Sequence, residues 1–209
     1  MTHALALERL LLDPRFADYV QQVRAVLPAH LVDQVDAAAD EAHEVLAAFP
    51  GRTARRPATA AELPSWLRLG LVDTLLTFTT GRATTCLHNP TASRPQPVLA
   101  AAWRPGVVVC LACAPLLSLK HDPAADSRCD GCGHQCAGVD ENDGIYPGRL
   151  QLGPLIYQYG CCTDCRPAIT PDTGPLRATQ STEPDAPRGT GRVRPRGQRG
   201  RGRGKGDRR

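Results

Sequence analysis

Apolar positions recur at helical spacing through the first eighty residues and then give way to short runs broken by turn residues. Leu5, Leu7, Leu10, Leu11 and Leu12 predict a first short helix. Asp13-Pro14 predicts a restart: an N-cap carboxylate satisfies orphan amides, and proline loses no hydrogen bond at the first helical position. Phe16, Tyr19, Val20, Val23 and Leu27 then share one face, and Pro28 ends the run. A third helix from Leu31 to Phe49 turns Leu31, Val35, Ala38, Ala42, Val45 and Leu46 inward and stops at Pro50-Gly51. Residues 51–64 carry no periodicity and read as a linker whose Arg52, Arg55 and Arg56 are solvated cations, with phosphate contact as the alternative. Ser65 is expected to cap a helix from Trp66 to Phe78 with Trp66, Leu69, Val72, Leu75, Leu76 and Phe78 as its apolar stripe. Thr79-Thr80-Gly81 ends it.

Beyond residue 81 the runs are strand-like. Val98–Trp103 and Val107–Val109 flank a turn at Arg104-Pro105-Gly106, and Ala114–Lys120 can continue as helical turns. Val139–Ile145 and Leu150–Tyr159 read as a second hairpin, with Asn142-Asp143-Gly144 and Pro147-Gly148 supplying turn chemistry. From residue 168 no period survives, so 168–209 is expected to be disordered.

Composition sharpens this picture. Hydrophobic residues make up 42% of the 209, but aromatics only 4%, with 19 Gly and 19 Pro, which is thin material for one large core. The net charge of +4 hides an asymmetry. Residues 188–209 hold nine arginines and Lys205 against Asp207, a charge of +9, which leaves −5 on the rest. No basic n-region precedes an uninterrupted apolar run at the N-terminus, and no stretch reaches the roughly 20 apolar residues that span a bilayer. The expectation is a cytoplasmic protein without a membrane partner, where thiols stay reduced.

All nine cysteines lie between Cys86 and Cys165. Seven of them, with His88, form four close couples: Cys86-x-His88, Cys110-x-x-Cys113, Cys129-x-x-Cys132 and Cys162-x-x-Cys165. A two-residue gap, or the single residue in Cys86-x-His88, lets both donors turn toward one point, and four couples suffice for two tetrahedral sites, so two zinc ions are expected. The sequential assignment gives one ion Cys86, His88, Cys110 and Cys113 and the other Cys129, Cys132, Cys162 and Cys165. The alternative is cross-braced, with the first couple joined to the third and the second to the fourth. His134, Cys136 and Cys161 remain as substitute ligands or free thiols. Gly133, just after Cys132, supplies the positive φ of a knuckle. His3, His30 and His43 have no ligand at metal spacing and read as surface or boundary residues.

Residues 86–120, with a ligand couple, a hairpin and a closing couple before helical turns, resemble a treble-clef zinc finger. Residues 129–165, knuckle, hairpin and knuckle, resemble a zinc ribbon. The resemblance implies structural zinc and leaves function open, because such modules serve transcription, translation, RNA processing and plain structure. The fold class expected is therefore α+β: an N-terminal helical bundle over 1–80, a hairpin-rich double zinc module over 81–167 and a disordered basic tail.

Arg192, Arg194, Arg196, Arg199, Arg201, Arg203 and Lys205 alternate largely with glycine. Flexible cations of this kind displace counterions from phosphates, so the tail is read as a nucleic-acid contact, against a plain solubilising role. The helices are read as a site for a protein partner. The chain is expected to be a non-enzymatic zinc-binding protein, with a protein–protein adaptor or a thiol/zinc redox sensor as alternatives. A zinc enzyme is the least favoured reading: two full ligand sets leave no open position, the deaminase glutamate two residues after His88 is replaced by Pro90, and no H-E-x-x-H or nucleotide loop occurs. An iron–sulfur cluster on Cys129, Cys132, Cys136 and a later cysteine is the alternative to zinc.

Overall fold

In the computed structural model, which describes residues 3–48, 58–119, 123–138 and 143–167, strands from both cysteine-rich stretches enter one sheet. The helices are α1 (His3–Leu11), α2 (Phe16–Val26), α3 (Ala29–Ala48), α4 (Ser65–Thr79) and the short α5 (Pro123–Asp126). The strands are β1 (Thr84–Thr85), β2 (Val98–Ala101), β3 (Val107–Cys110), β4 (Tyr146–Leu152) and β5 (Leu155–Cys161), in the order β1-β3-β2-β5-β4. β2–β3 and β4–β5 are antiparallel hairpins. They are joined through their inner strands in parallel, Val98 opposite Leu155 and Ala101 opposite Gln158.

Successive side chains of a strand point to opposite faces, and here each face has its own helix. Val98, Ala100, Val108, Leu155, Tyr157 and Tyr159 pack with Leu67 and Leu71 of α4. Leu99, Ala101, Val109 and Ile156 pack with Ala42 of α3 and with Leu117. All four residues of β2 are buried, which is why its sequence is an unbroken apolar run rather than an alternation. The helices expected to form a bundle thus supply two layers over one sheet. α1 is tied to α4 by Glu8 and Arg68, whose charged ends lie 2.9 Å apart. Arg68 also donates to the carbonyls of Ala60 and Leu63.

Three local expectations change. The apolar face of α2 is only partly covered: Phe16 and Tyr19 are half-buried, no residue of that helix is fully buried, and Val23 and Val26 are 56% and 81% exposed. Amphipathic spacing shows which face is apolar, not whether a neighbour covers it. Ser65 is the first residue of α4 and makes no capping bond, Pro64 being the cap. Pro147-Gly148 is not a turn but lies inside β4; the hairpin turns at Gly153, whose φ is +55°. Pro147 is tolerated because β4 is an edge strand. Gly148 is required because the Tyr159 ring occupies the space a side chain there would need. The first four residues of the expected strand 139–145 lie outside the described residues, and Asp143 forms an isolated bridge with Gly138.

The β2–β3 hairpin turns where expected, with Gly106 at φ +75°. After Cys110 the chain takes 3-10 turns over Leu111–Leu117, with Pro115 inside, instead of the helical turns expected over 114–120. Residues 51–57 of the 51–64 linker and all of the tail from residue 168 lie outside the described residues, including Arg52, Arg55 and Arg56 and the seven tail cations, while the rest of the linker holds a 3-10 turn at Ala60–Glu62.

Candidate metal centres

Each hairpin carries the same succession of parts. A knuckle precedes the first strand, and the second strand ends on a cysteine couple that leads into a 3-10 turn. In the first half the knuckle is Cys86-Leu87-His88-Asn89, closed by the Asn89 N–H donating to the Cys86 carbonyl at 2.8 Å, with Asn89 at φ +46°. Cys110 is the last residue of β3, and Cys113 lies on the following 3-10 turn. In the second half Gly133, at φ +76°, donates to the Cys129 carbonyl at 2.9 Å, as its place after Cys132 predicts. Cys162 follows β5, and Cys165 ends the 3-10 turn Thr163–Cys165.

The couples meet in sequential order: Cys86, His88, Cys110 and Cys113 converge, as do Cys129, Cys132, Cys162 and Cys165, with all donor atoms of a set within 4.8 Å of one another. Both sets have the same burial sequence, with the first and third ligands buried, the second exposed and the fourth intermediate. The cross-braced grouping is not the one formed.

A tetrahedron with Zn–S bonds of about 2.3 Å has S···S edges of roughly 3.8 Å. The sulfurs of Cys86 and Cys110 are 3.7 Å apart and those of Cys132 and Cys162 3.8 Å apart. His88 Nδ1 lies 3.2 Å from the Cys113 sulfur and 3.5 Å from that of Cys110. All nine cysteines are free of disulfides. Both quartets can therefore hold a metal ion, and thiolate with imidazole is a donor set that suits zinc.

The local electrostatics favour a first thiolate in each quartet. Burial pushes the Cys86 thiol up, but the backbone amides of Cys110 and His88 outweigh it and bring the group down to about 6. Burial likewise opposes ionisation of Cys129, while the amides of Cys162, Cys132 and Gly131 bring it down to about 7. The Gly131 amide donates to the Cys129 sulfur at 3.3 Å. Burial and the neighbouring sulfurs Cys86 and Cys110 push Cys113 up to about 11, and burial and the neighbouring sulfurs also raise Cys165. One thiol in each quartet that ionises more readily than its neighbours, with crowded thiols around it, makes a site that a divalent cation would complete by displacing the remaining protons.

The supports of the two quartets differ. Trp103 Nε1 donates to the Leu117 carbonyl at 2.7 Å and fixes the 3-10 turn after Cys113 against the first hairpin. The second knuckle is tied to β5 by a reciprocal pair: the Asp130 amide donates to the Gly160 carbonyl at 2.9 Å, and the Gly160 amide donates to Asp130 Oδ2 at 2.6 Å. The Trp66 indole of α4 lies against Gly131 and near Cys165, in edge contact with Tyr159. Its buried Nε1–H has no hydrogen-bond partner.

The leftover residues are not quartet members. Cys161 is fully buried in β5, donates to the Tyr146 carbonyl and is pushed up to about 12, chiefly by burial. Cys136 is buried and pushed up to about 12, first by burial and then by the Asp143 carboxylate. Neither resembles the exposed, low-pKa thiol of a redox sensor. Cys136 also does not join Cys129 and Cys132 as the iron–sulfur alternative requires. It meets His134 and Asp143 instead. Sequence reasoning missed Asp143, whose only signal is a carboxylate within ten residues of a His-x-Cys couple. His43 lies on α3 with its ring Nδ1 3.2 Å from Gln151 Oε1 and is not among the donors of either quartet.

The chain matches no family model, no curated protein and no solved structure.

Proposed function

We propose that this is a non-enzymatic zinc-binding protein in which two structural zinc ions staple the hairpins of one sheet, and that its basic tail contacts nucleic acid. The observation that carries the reading is the convergence of two complete four-donor sets with tetrahedral sulfur spacings. Four protein ligands at each ion leave no place for a reactive water, the mark of a structural site. The positions of the ligands support the same role: they close the open ends of two hairpins whose inner strands are paired, so each ion would hold a strand end that the thin core alone holds weakly. Reduced thiols require a reducing compartment, and the cytoplasm is the proposed location. Among the described residues, no helix is long and apolar enough to cross a membrane.

The nucleic-acid part rests on the sequence of the tail. Its ten basic residues against Asp207 would make a backbone contact whose affinity falls steeply with salt. No Phe or Tyr interleaves the arginines to stack on bases, so little sequence preference is expected. Comparing the full chain with a form ending at residue 187, on single- and double-stranded oligonucleotides over a salt series, tests this. Loss of binding and of the salt slope on truncation is expected; equal affinities would remove the tail from the account.

A second reading, a protein–protein adaptor, has one specific observation in its favour. Val20, Val23, Val26 and Leu27 on and after α2, with Leu5, Leu10 and Leu12 nearby in sequence, are exposed apolar side chains. The double substitution Val23→Asp, Val26→Asp should leave thermal unfolding unchanged while removing a captured partner; identical capture by both forms would dismiss the reading.

A further inference from the structure

We propose that His134, Cys136 and Asp143 form a third metal site, distinct from the two quartets, that takes a zinc-type divalent ion on three protein ligands and leaves one coordination position open. The donor atoms lie within 4.8 Å of one another and supply nitrogen, sulfur and oxygen. His134 Nε2 is 2.9 Å from Asp143 Oδ2. Mixed three-ligand sets with a free position are what exchangeable or water-bearing zinc sites use, whereas structural sites close all four positions.

The backbone holds the three side chains in place by hydrogen bonds independent of them. The His134 carbonyl accepts from the Cys129 amide at 2.8 Å, and the Cys136 amide donates to the Ser127 carbonyl at 2.9 Å. His134 and Cys136 therefore ride on the return strand of the second knuckle, one residue either side of the Arg128–Gln135 bridge. Asp143 is brought in by a reciprocal pair with Gly138, N–H to carbonyl at 2.9 and 3.0 Å. Gly138, at φ +133°, takes a backbone conformation that other residues rarely adopt. The Ala137 amide donates to Asp143 Oδ2 at 2.9 Å and orients the carboxylate toward the histidine, the kind of outer hydrogen bond that metal-ligating carboxylates commonly have.

Accessibility differs in a useful way. Cys136 is buried, while the side chains of His134 and Asp143 remain 50% and 32% exposed. An ion seated here would have its sulfur ligand beneath it and solvent on its other side. The open position would carry water or an exchangeable ligand. With three ligands and solvent access, the site should bind more weakly and exchange faster than either quartet. An alternative role for the same trio is a hydrogen-bonded closure of the loop between residues 134 and 143, which needs no ion. Metal counting separates the two.

The test uses the full-length protein loaded with zinc, freed of excess by gel filtration, and challenged with a chromophoric chelator. The wild type should release one equivalent in an early phase, ahead of the metal held by the quartets. His134→Gln and Asp143→Asn should each lose that early equivalent alone, with the later release unchanged. Loading Co2+ into protein whose quartets already hold zinc should give a thiolate-to-cobalt band that Cys136→Ser removes. Identical early release in wild type and His134→Gln, or a cobalt band that survives Cys136→Ser, would overturn the proposal. Because the readout is the difference between wild type and variant, it stands even if a quartet proves empty: that outcome changes the later phase only.

Discussion

The middle residue of the first knuckle is open to solvent, whereas that of the second is wedged beneath a helix. Leu87, between Cys86 and His88, is fully exposed. Gly131, between Cys129 and Cys132, faces Trp66 of α4 so closely that a methyl group there would lie 2.9 Å from the indole. The donors nevertheless have matching burial and spacing in both quartets. One ligand geometry is thus reached through two kinds of support, a local turn anchored by Trp103 in one case and packing against a long-range helix in the other. Positive φ in each knuckle is supplied by different chemistry too, Asn89 in the first and Gly133 in the second.

Removing metal should have the largest effect of all and should erase the difference between the halves. A structural zinc supplies apparent binding free energy of about 10–16 kcal/mol in small finger peptides, more than the stability of most domains. Chelation is expected to abolish amide protection across 98–110 and 146–161. Helical signal should fall with it, because Ala42, Leu67 and Leu71 are packed on the sheet. Retained protection in metal-free protein, read by hydrogen exchange, would contradict this.

Single-ligand variants sharpen the comparison. Cys86→Ser and Cys129→Ser should each lose one tightly held equivalent by metal analysis. Because β2 and β5 are hydrogen-bonded neighbours, each loss should also raise the chelator sensitivity of the other quartet. Independent release from the surviving site would show that the shared sheet does not couple them.

The middle positions of the knuckles should then respond unequally. Gly131→Ala forces the Trp66 ring or the Cys165 side chain to move, an overpacking cost of about 1–3 kcal/mol. Leu87→Ala, at a fully exposed site, should stay within about 0.5 kcal/mol of wild type. Denaturant midpoints of the zinc-loaded proteins decide this, and equal shifts would refute the difference in support.

The smallest effect belongs to an exposed ion pair between α2 and α3. Arg24 forms a two-pronged pair with Asp36 at 3.0 and 2.5 Å and holds that carboxyl below its usual value. The lowered value means that the stabilisation is full above the ordinary carboxylate range, near pH 4, and is lost as pH falls through the lowered value. Asp36→Asn should therefore be slightly less stable than wild type at pH 7 and converge with it in acid, with the gap shrinking in high salt. A gap that persists unchanged at pH 2 would rule out the ion pair as its source.

The ligand couples were legible because their signal is local: a gap of one or two residues, and in the second knuckle a following glycine, need no knowledge of the rest of the chain. The first hairpin was legible for the same reason, through Arg104-Pro105-Gly106. The union of the hairpins was not, since parallel pairing of Val98–Ala101 with Leu155–Gln158 leaves no mark on either segment beyond apolar character. Pro147-Gly148 misled because the same dipeptide suits a turn or an edge strand opposite a large ring, and only the position of Tyr159 distinguishes them. Asp143 was invisible as a partner of His134 because the Gly138 bridge that delivers it is a tertiary feature.

The most direct test of the central claim is metal content per chain, with an absorbance spectrum, on protein purified without added metal and dialysed against a mild chelator. Two zinc ions retained per chain and no visible absorption are the predicted result. No retained zinc, or iron with a visible band, would contradict the account that two structural zinc ions hold this sheet together.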